Sequence, residues 1–158
     1  MKPPASEIPE LPKATSDSVF RVLREMPPLK RIRLVQLGIP APWFGQLSKR
    51  MAMPKDRLYR TIGVSKATMT RKIDKGQRLT LGEGERVLGI AMLLGQVETM
   101  LTESGGPGGF DAAGWMARWM DRPLPALGGK RPGELVDTAD GRALVSGLLA
   151  RMQSGAYV

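Results

Sequence analysis

The chain has 158 residues, of which 42% are apolar and 25% charged, and its formal net charge is +9. This length and composition indicate a folded protein with one ordinary domain or two small ones. Cysteine and histidine are both absent, which excludes disulfide frameworks, the usual zinc sites and Ser-His-Asp catalysis, so we predict no metal and no cofactor. No export signal is evident, and the longest apolar run, residues 87–97, is shorter than the ~20 residues that span a bilayer. We expect a cytoplasmic protein without a membrane partner.

The positive charge is concentrated in one part of the chain. Residues 30–78 contain 13 basic and 2 acidic residues, whereas residues 101–158 contain 6 of each. A run of charge is usually a solvated face. Here it coincides with the helical pattern described below, so we favour a surface that faces nucleic-acid phosphates.

Proline divides the N-terminal part into short segments. Residues 1–17 are proline-rich and polar and predict a flexible arm, and residues 18–26 predict a short helix. Residues 29–37 alternate basic and apolar side chains, a pattern that fits either a short strand or an amphipathic turn. Residues 43–51 predict a helix, because their apolar side chains recur at spacings of three and four.

The next two predicted helices form the most informative stretch of the chain. Residues 54–62 predict a first helix, and residues 65–75 predict a second. Between them, Gly63 permits a tight turn and Ser65 is a suitable N-cap, while Gly76 is suited to end the second helix. This pattern predicts a helix-turn-helix, whose second helix enters a DNA major groove.

The candidate DNA contacts lie on and just after that second helix. Lys66 and Arg71 are placed to reach guanine or phosphate, and Thr70 a base edge or phosphate. The remaining basic side chains are expected to supply sequence-independent affinity. The alternative is a helix-turn-helix kept as a scaffold, with a basic face that only aids solubility. The full candidate set is Ser65, Lys66, Thr68, Thr70, Arg71, Lys72, Lys75 and Arg78.

A long helix is predicted over residues 80–101. Thr80 and Glu83 have the spacing of a capping box, which marks the start of a helix. Residues 87–97 are apolar nearly all round, so this helix must be buried on two sides. One side is expected to cover the helix-turn-helix, and the other needs a second domain or a second subunit. We expect a homodimer with residues 87–101 contributing to the interface.

A glycine-rich segment, residues 104–109, separates a basic region, 18–103, from a neutral region, 110–158. In the neutral region, residues 110–120 predict a helix with Trp115 and Trp119 four apart, and we favour a core position for Trp115 in particular. A further helix is expected to start after Thr138 and to end at Gly155.

The neutral region also carries a motif combination of some specificity. A tryptophan-containing helix precedes a loop of the form P-x-x-A-L-G-G-x-x-P, then L-x-x-T-x-x-G and a helix ending in glycine. Its positions fall on Trp119 or Trp115, Pro123 or Pro125, residues 126–129, Pro132, Leu135, Thr138, Gly141 and Gly155. This region resembles the toxin-binding domain of the Xre/MbcA/ParS antitoxins, apart from Leu124, where relatives usually have a polar residue. Residues 38–41, 63–68 and 85–88 resemble the Xre-like part of the same family.

The resemblance implies a fold and a function. The fold is all-α, with an Xre-like helix-turn-helix bundle followed by a small helical toxin-binding domain. On this resemblance we expect the antitoxin of a type II toxin–antitoxin pair and not an enzyme. The resemblance further implies that the partner is a RES-domain toxin that consumes NAD or transfers ADP-ribose from it, and that the antitoxin occludes the toxin's active site. In many members of the family the antitoxin also represses its own operon as a dimer.

The candidate toxin contacts combine the family loop with the C-terminal helix and tail. We expect the basic side chains and the terminal carboxylate to lie at or near the toxin's cleft. One alternative is a DNA-binding repressor whose C-terminal domain serves only dimerisation. Another is a nucleotide-binding enzyme using residues 127–131, but that loop lacks the GxxxxGK[ST] spacing. The candidate set is Trp119, Leu127, Gly128, Gly129, Lys130, Arg131, Pro132, Arg151, Tyr157 and Val158.

Overall fold

The computed structural model describes residues 18–156, so the predicted arm, Tyr157 and Val158 lie outside the described residues. Within residues 18–156 the chain folds into helices and turns, with one isolated β-bridge between Pro40 and Arg78 and no strand. The predicted all-α fold is confirmed. The helices are α1 Val19–Glu25, α2 Pro28–Leu37, α3 Pro42–Arg50, α4 Lys55–Ile62, α5 Lys66–Asp74, α6 Leu81–Glu103, α7 Ala112–Trp119 and α8 Ala139–Gln153, with single 3-10 turns at Pro125–Leu127 and Pro132–Glu134.

The segment that the sequence left open, residues 29–37, is a helix. Pro28 occupies its first turn, where a missing backbone N–H costs nothing, and Leu34 and Val35 face the core. Leu29 and Ile32 remain exposed on the opposite side. The alternation of basic and apolar residues suggested a strand, in which buried positions are two residues apart. Here the two buried positions are adjacent, which fits one face of a helix.

Helices α4 and α5 form the predicted helix-turn-helix. Leu58, Ile62 and Met69 are fully buried in the core beneath the two helices. Gly63 has a φ of 65°, a left-handed conformation that favours glycine. Ser65 occupies the N-cap position of α5, but among the described residues its hydroxyl makes no capping hydrogen bond. The predicted positions are confirmed, and the predicted capping bond is not formed.

Helix α6 is the central element of the fold. Its capping box is formed, since the Thr80 hydroxyl accepts from the Glu83 N–H and the Glu83 carboxylate accepts from the Thr80 N–H. Helix α1 crosses α6 at Gly95, where an added Cβ would lie 2.2 Å from the Phe20 carbonyl oxygen. The close approach of two backbones requires glycine there.

The C-terminal region covers the other side of α6. The buried Gln96 side chain of α6 donates to the Ser146 carbonyl at 2.9 Å and accepts from the Ser146 hydroxyl at 2.7 Å, which fixes α8 against α6. The apolar side chains of α6, including Val87, Leu94 and Val97, are therefore buried within one chain. The second domain, and not a second subunit, supplies the cover. The structure describes one chain, so the predicted contribution of residues 87–101 to a dimer interface stays a prediction.

Helix α7 begins two residues later than predicted, because Asp111 caps it by accepting the Gly114 N–H at 2.8 Å. Trp115 and Trp119 stack with ring centroids 5.8 Å apart. Trp119 is the buried member, and Trp115 is only partly buried, so the preference for Trp115 as the core residue was wrong. The predicted Thr138 cap is confirmed, with the Gly141 N–H donating to its hydroxyl at 3.0 Å.

Candidate functional site

The outer face of α5 is the first candidate surface. Met69 points into the core, and the exposed side chains on the other side form a shallow groove. Four of the predicted DNA contacts lie on this face as expected, and Ser65 is exposed at the start of the helix, whereas Thr68 is half-buried. The residues that line the groove are Lys66, Ala67, Thr70, Arg71, Asp74 and Lys75.

One of these cations is paired. The Lys66 ammonium lies 2.9 Å from the Asp56 carboxylate of α4, with both side chains exposed. The hydrogen bond to Asp56 and its negative charge raise the pKa of Lys66. An exposed pair of this kind is weak, so a DNA phosphate can compete for the ammonium. Lys66 therefore stays available as a phosphate contact.

Lys72 is not a surface cation. Its side chain is 11% exposed, and its ammonium lies 2.5 Å from a Glu83 carboxylate oxygen. Burial alone would raise the pKa of Glu83, but hydrogen bonds from Lys72 and Thr80 outweigh burial and hold this pKa below its ordinary value. The predicted DNA contact by Lys72 is wrong, because this buried pair joins α5 to the first turn of α6.

Arg78 is also used within the fold. Its guanidinium donates to the Leu37 carbonyl at 2.7 Å, where it satisfies an end carbonyl of α2. Arg78 is half-buried, and it forms the isolated β-bridge with Pro40. The predicted DNA contact by Arg78 is not supported, because the contact would compete with this hydrogen bond.

The glycine-rich loop of the C-terminal region forms a tight exposed turn. Gly128 and Gly129 have φ values of 64° and 83°, so both need the left-handed region that glycine tolerates. The Gly129 N–H donates to the Leu124 carbonyl, and the Leu124 N–H donates to the Lys130 carbonyl, both at 3.0 Å. These bonds close the loop and present Lys130 to solvent. A tight turn, which the sequence favoured over a nucleotide site, is what the structure has.

The predicted toxin contacts fall into three groups. Trp119, Leu127 and Pro132 are buried, so they hold the loop from beneath, and their interpretation as surface contacts is corrected. Tyr157 and Val158 lie outside the described residues. The exposed members are Gly128, Gly129, Lys130, Arg131 and Arg151.

Arg57 joins the two halves of the chain, a role that the sequence analysis missed. Its guanidinium donates to the Ala117 carbonyl at 3.0 Å and lies 3.2 Å from the Asp121 carboxylate. Nearby, a Cβ on Gly63 would lie 3.1 Å from the Asp137 Cβ, so the turn before α5 packs against the C-terminal region. These partners are more than 50 residues apart, and only the charge run 30–78 hinted that Arg57 had a role.

Within residues 18–156, no cluster of acidic side chains has the arrangement of a metal site. No described helix is long and apolar enough to cross a membrane. The two candidate surfaces are thus a basic helix face and a glycine-rich loop in the C-terminal region, connected by α6 and Arg57.

Both parts of the chain match domains of known proteins. Residues 30–92 match the antitoxin Xre-like helix-turn-helix domain, and residues 110–155 match the antitoxin Xre/MbcA/ParS C-terminal toxin-binding domain. The "Prs ADP-ribosylating antitoxin" of Sphingobium sp. (strain YBL2) is 37% identical over 145 residues, which are 92% of this chain and 91% of that protein. The chain belongs to the Xre/MbcA/ParS antitoxin family. The resemblance predicted from the C-terminal motif is confirmed.

A second relative of this antitoxin is more distant. "Antitoxin Xre" of Yersinia enterocolitica serotype O:8 / biotype 1B (strain NCTC 13174 / 8081) is 24% identical over 123 residues, which are 78% of each chain. The two matched domains are a helix-turn-helix and a toxin-binding domain, and neither is an enzymatic domain.

Proposed function

We propose that this antitoxin binds and neutralises a RES-domain toxin by occluding the toxin's active site, and that it is not itself an enzyme. The observation that carries the proposal is the match of residues 110–155 to a toxin-binding domain whose glycine-rich loop is exposed. The relative at 37% identity is named for Prs ADP-ribosylation, which supports a toxin that uses NAD. Neutralisation takes place in the cytoplasm, without a cofactor.

The test is co-expression with the toxin encoded next to the antitoxin gene. We expect the full chain to restore growth and to co-purify with the toxin. A variant lacking residues 156–158 should protect less well, because the tail belongs to the proposed contact surface. If the full chain purifies alone and gives no protection, the protein is instead a repressor whose C-terminal region serves only dimerisation.

We also propose that the antitoxin represses its own operon through α5. The support is the exposed, basic outer face of this helix, with Lys66, Thr70, Arg71 and Lys75 on one side. Arg71→Ala should weaken binding to the operon's promoter by ~1–3 kcal/mol if Arg71 contacts a base. An electrophoretic shift with duplex DNA from that promoter measures this loss. Equal binding by the variant and the wild type would remove Arg71 from the interface.

A further inference from the structure

A polar cleft lies between the helix-turn-helix and the C-terminal region. It encloses about 270 Å³ and is lined from α4 on one side and from the turn at Pro132–Glu134 on the other. Three arginines line it, Arg57, Arg60 and Arg131, together with two acidic residues, Asp121 and Glu134. The cleft therefore joins cations from both matched domains.

The three arginines differ in their partners. Arg57 is held by Asp121 and the Ala117 carbonyl. The Arg131 Nε donates to the Asp121 carbonyl at 3.0 Å, while its Nη1 lies 3.9 Å from Glu134 in an exposed pair. Arg60 is exposed, and its guanidinium makes no hydrogen bond or ion pair with any residue in 18–156. Since the two carboxylates offset two of the cations, one positive charge in the cleft is unmatched.

One wall of the cleft is formed by α4, the helix whose first turn contacts the start of α5. Arg60 lies one helical turn after Asp56, which pairs with Lys66 in the first turn of α5. The turn at Gly63 packs against Asp137 of the C-terminal region. In helix-turn-helix complexes the first helix crosses the DNA backbone while the second reads the groove. A backbone phosphate is therefore expected next to Arg60.

We propose that this cleft binds a DNA phosphate, so that Arg131 of the toxin-binding domain extends the DNA contact surface beyond the helix-turn-helix. The proposal rests on the DNA binding proposed for α5. The planar guanidinium fork matches the oxygens of a phosphate, and Arg60 and Arg131 approach from opposite walls of the cleft. The bonds from Arg131 Nε to Asp121 and from its backbone N–H to Glu134 orient the side chain. Its Nη1 makes only the exposed 3.9 Å pair with Glu134, a weak pair that a phosphate can displace.

The experiment measures the salt dependence of DNA binding by the full chain. Fluorescence anisotropy with duplex DNA from the operon's promoter is recorded at several KCl concentrations for the wild type, Arg60→Gln and Arg131→Gln. A plot of log K against log salt has a negative slope, and the loss of one phosphate contact reduces the magnitude of this slope by about 0.9. We expect a decrease of this size for each variant, and less than twice this decrease for the double variant, because one phosphate is shared.

Arg118→Gln is the matched control. It removes the same charge from the same domain, but the Arg118 guanidinium lies beside Gly114 in the first turn of α7 and not in the cleft. Its slope should equal that of the wild type. Arg131→Lys keeps the charge and should have most of the wild-type slope. This result would show that the smaller slope of Arg131→Gln comes from the lost charge and not from a loss of folding. Thermal melting monitored by circular dichroism compares the folding of all variants.

Unchanged slopes for Arg60→Gln and Arg131→Gln overturn the inference. If Arg71→Ala still weakens binding in that case, the proposed operator binding stands and only the cleft assignment fails. If the wild type does not bind the promoter, both fail. If the slopes are unchanged but calorimetric titration shows that inorganic phosphate binds, the cleft is a site for a free anion and not for DNA. A loss of toxin affinity with unchanged DNA binding would assign it to the toxin.

Discussion

The buried pair of Lys72 and Glu83 connects the helix-turn-helix to the central helix. It joins α5 to the capping box of α6 through a contact of 2.5 Å. Lys72→Met leaves the Glu83 carboxylate buried without its cation, which should cost about 3 kcal/mol. Urea unfolding measures this cost. Glu83→Gln combined with Lys72→Met removes both charges and should recover part of the loss. A change below about 0.5 kcal/mol, typical of a surface position, would contradict the buried pair.

The same pair predicts a pH dependence of stability. The pKa of Glu83 is lower in the folded than in the unfolded chain, so the unfolded chain takes up the proton first as the pH falls. The stabilisation is complete above the unfolded value of about 4.3 and is lost as the pH falls through the lowered folded value. Unfolding free energies measured below pH 5 should therefore fall less steeply in Glu83→Gln than in the wild type. Parallel pH profiles would rule out this contribution.

At the scale of elements, the crossing of α1 and α6 depends on Gly95. A Cβ there would meet the backbone oxygen of Phe20, which cannot move without shifting α1. Gly95→Ala should destabilise the protein by about 1–3 kcal/mol, as overpacking does. Gly147→Ala is the control, because Gly147 is also within a helix and an added Cβ would meet no atom of residues 18–156 within 4 Å. The control should be neutral or stabilising by up to about 1 kcal/mol. Equal thermal unfolding midpoints would contradict the close crossing.

Elements with local signals were predictable from the sequence. The α4–α5 turn, the capping box at Thr80 and the cap at Thr138 each depend on residues a few positions apart, and all are confirmed. Helix α2 was not predictable, because the core above Leu34 and Val35 decides its conformation. From the sequence Lys72 was interpreted as a surface cation, because its partner, Glu83, lies on another helix. The order of burial of Trp115 and Trp119 likewise depends on packing of distant parts of the chain.

At the scale of the whole molecule, one long helix holds two different surfaces. Helix α6 packs against α1 and α2 on the basic side and against α7 and α8 on the neutral side. Arg57 adds a second connection between the two halves. The motif in the C-terminal region was sufficient to predict the family. The junction was not predictable, because it depends on contacts between residues that are distant in the sequence.

The oligomeric state stays a prediction. Most apolar side chains of α6 are covered within one chain, whereas Met92, Met100 and Leu101 are only partly buried and stay open to a partner subunit. Analytical ultracentrifugation at micromolar concentration should give a dimer, as expected for an operon repressor that binds paired half-sites. A monomer under these conditions would contradict the homodimer while leaving toxin binding untouched.

The most direct test of two separate surfaces is a paired measurement on two variants of the full chain. Arg71→Ala changes the exposed face of α5, and Lys130→Glu combined with Arg151→Glu changes the exposed C-terminal surface. Each variant is assayed for promoter binding and for its ability to restore growth when it is co-expressed with the toxin encoded by the adjacent gene. We predict that Arg71→Ala binds the promoter more weakly but still rescues growth, and that the double variant binds the promoter as the wild type does but rescues growth poorly. Loss of both activities together in either variant, with folding intact, would contradict this division of function.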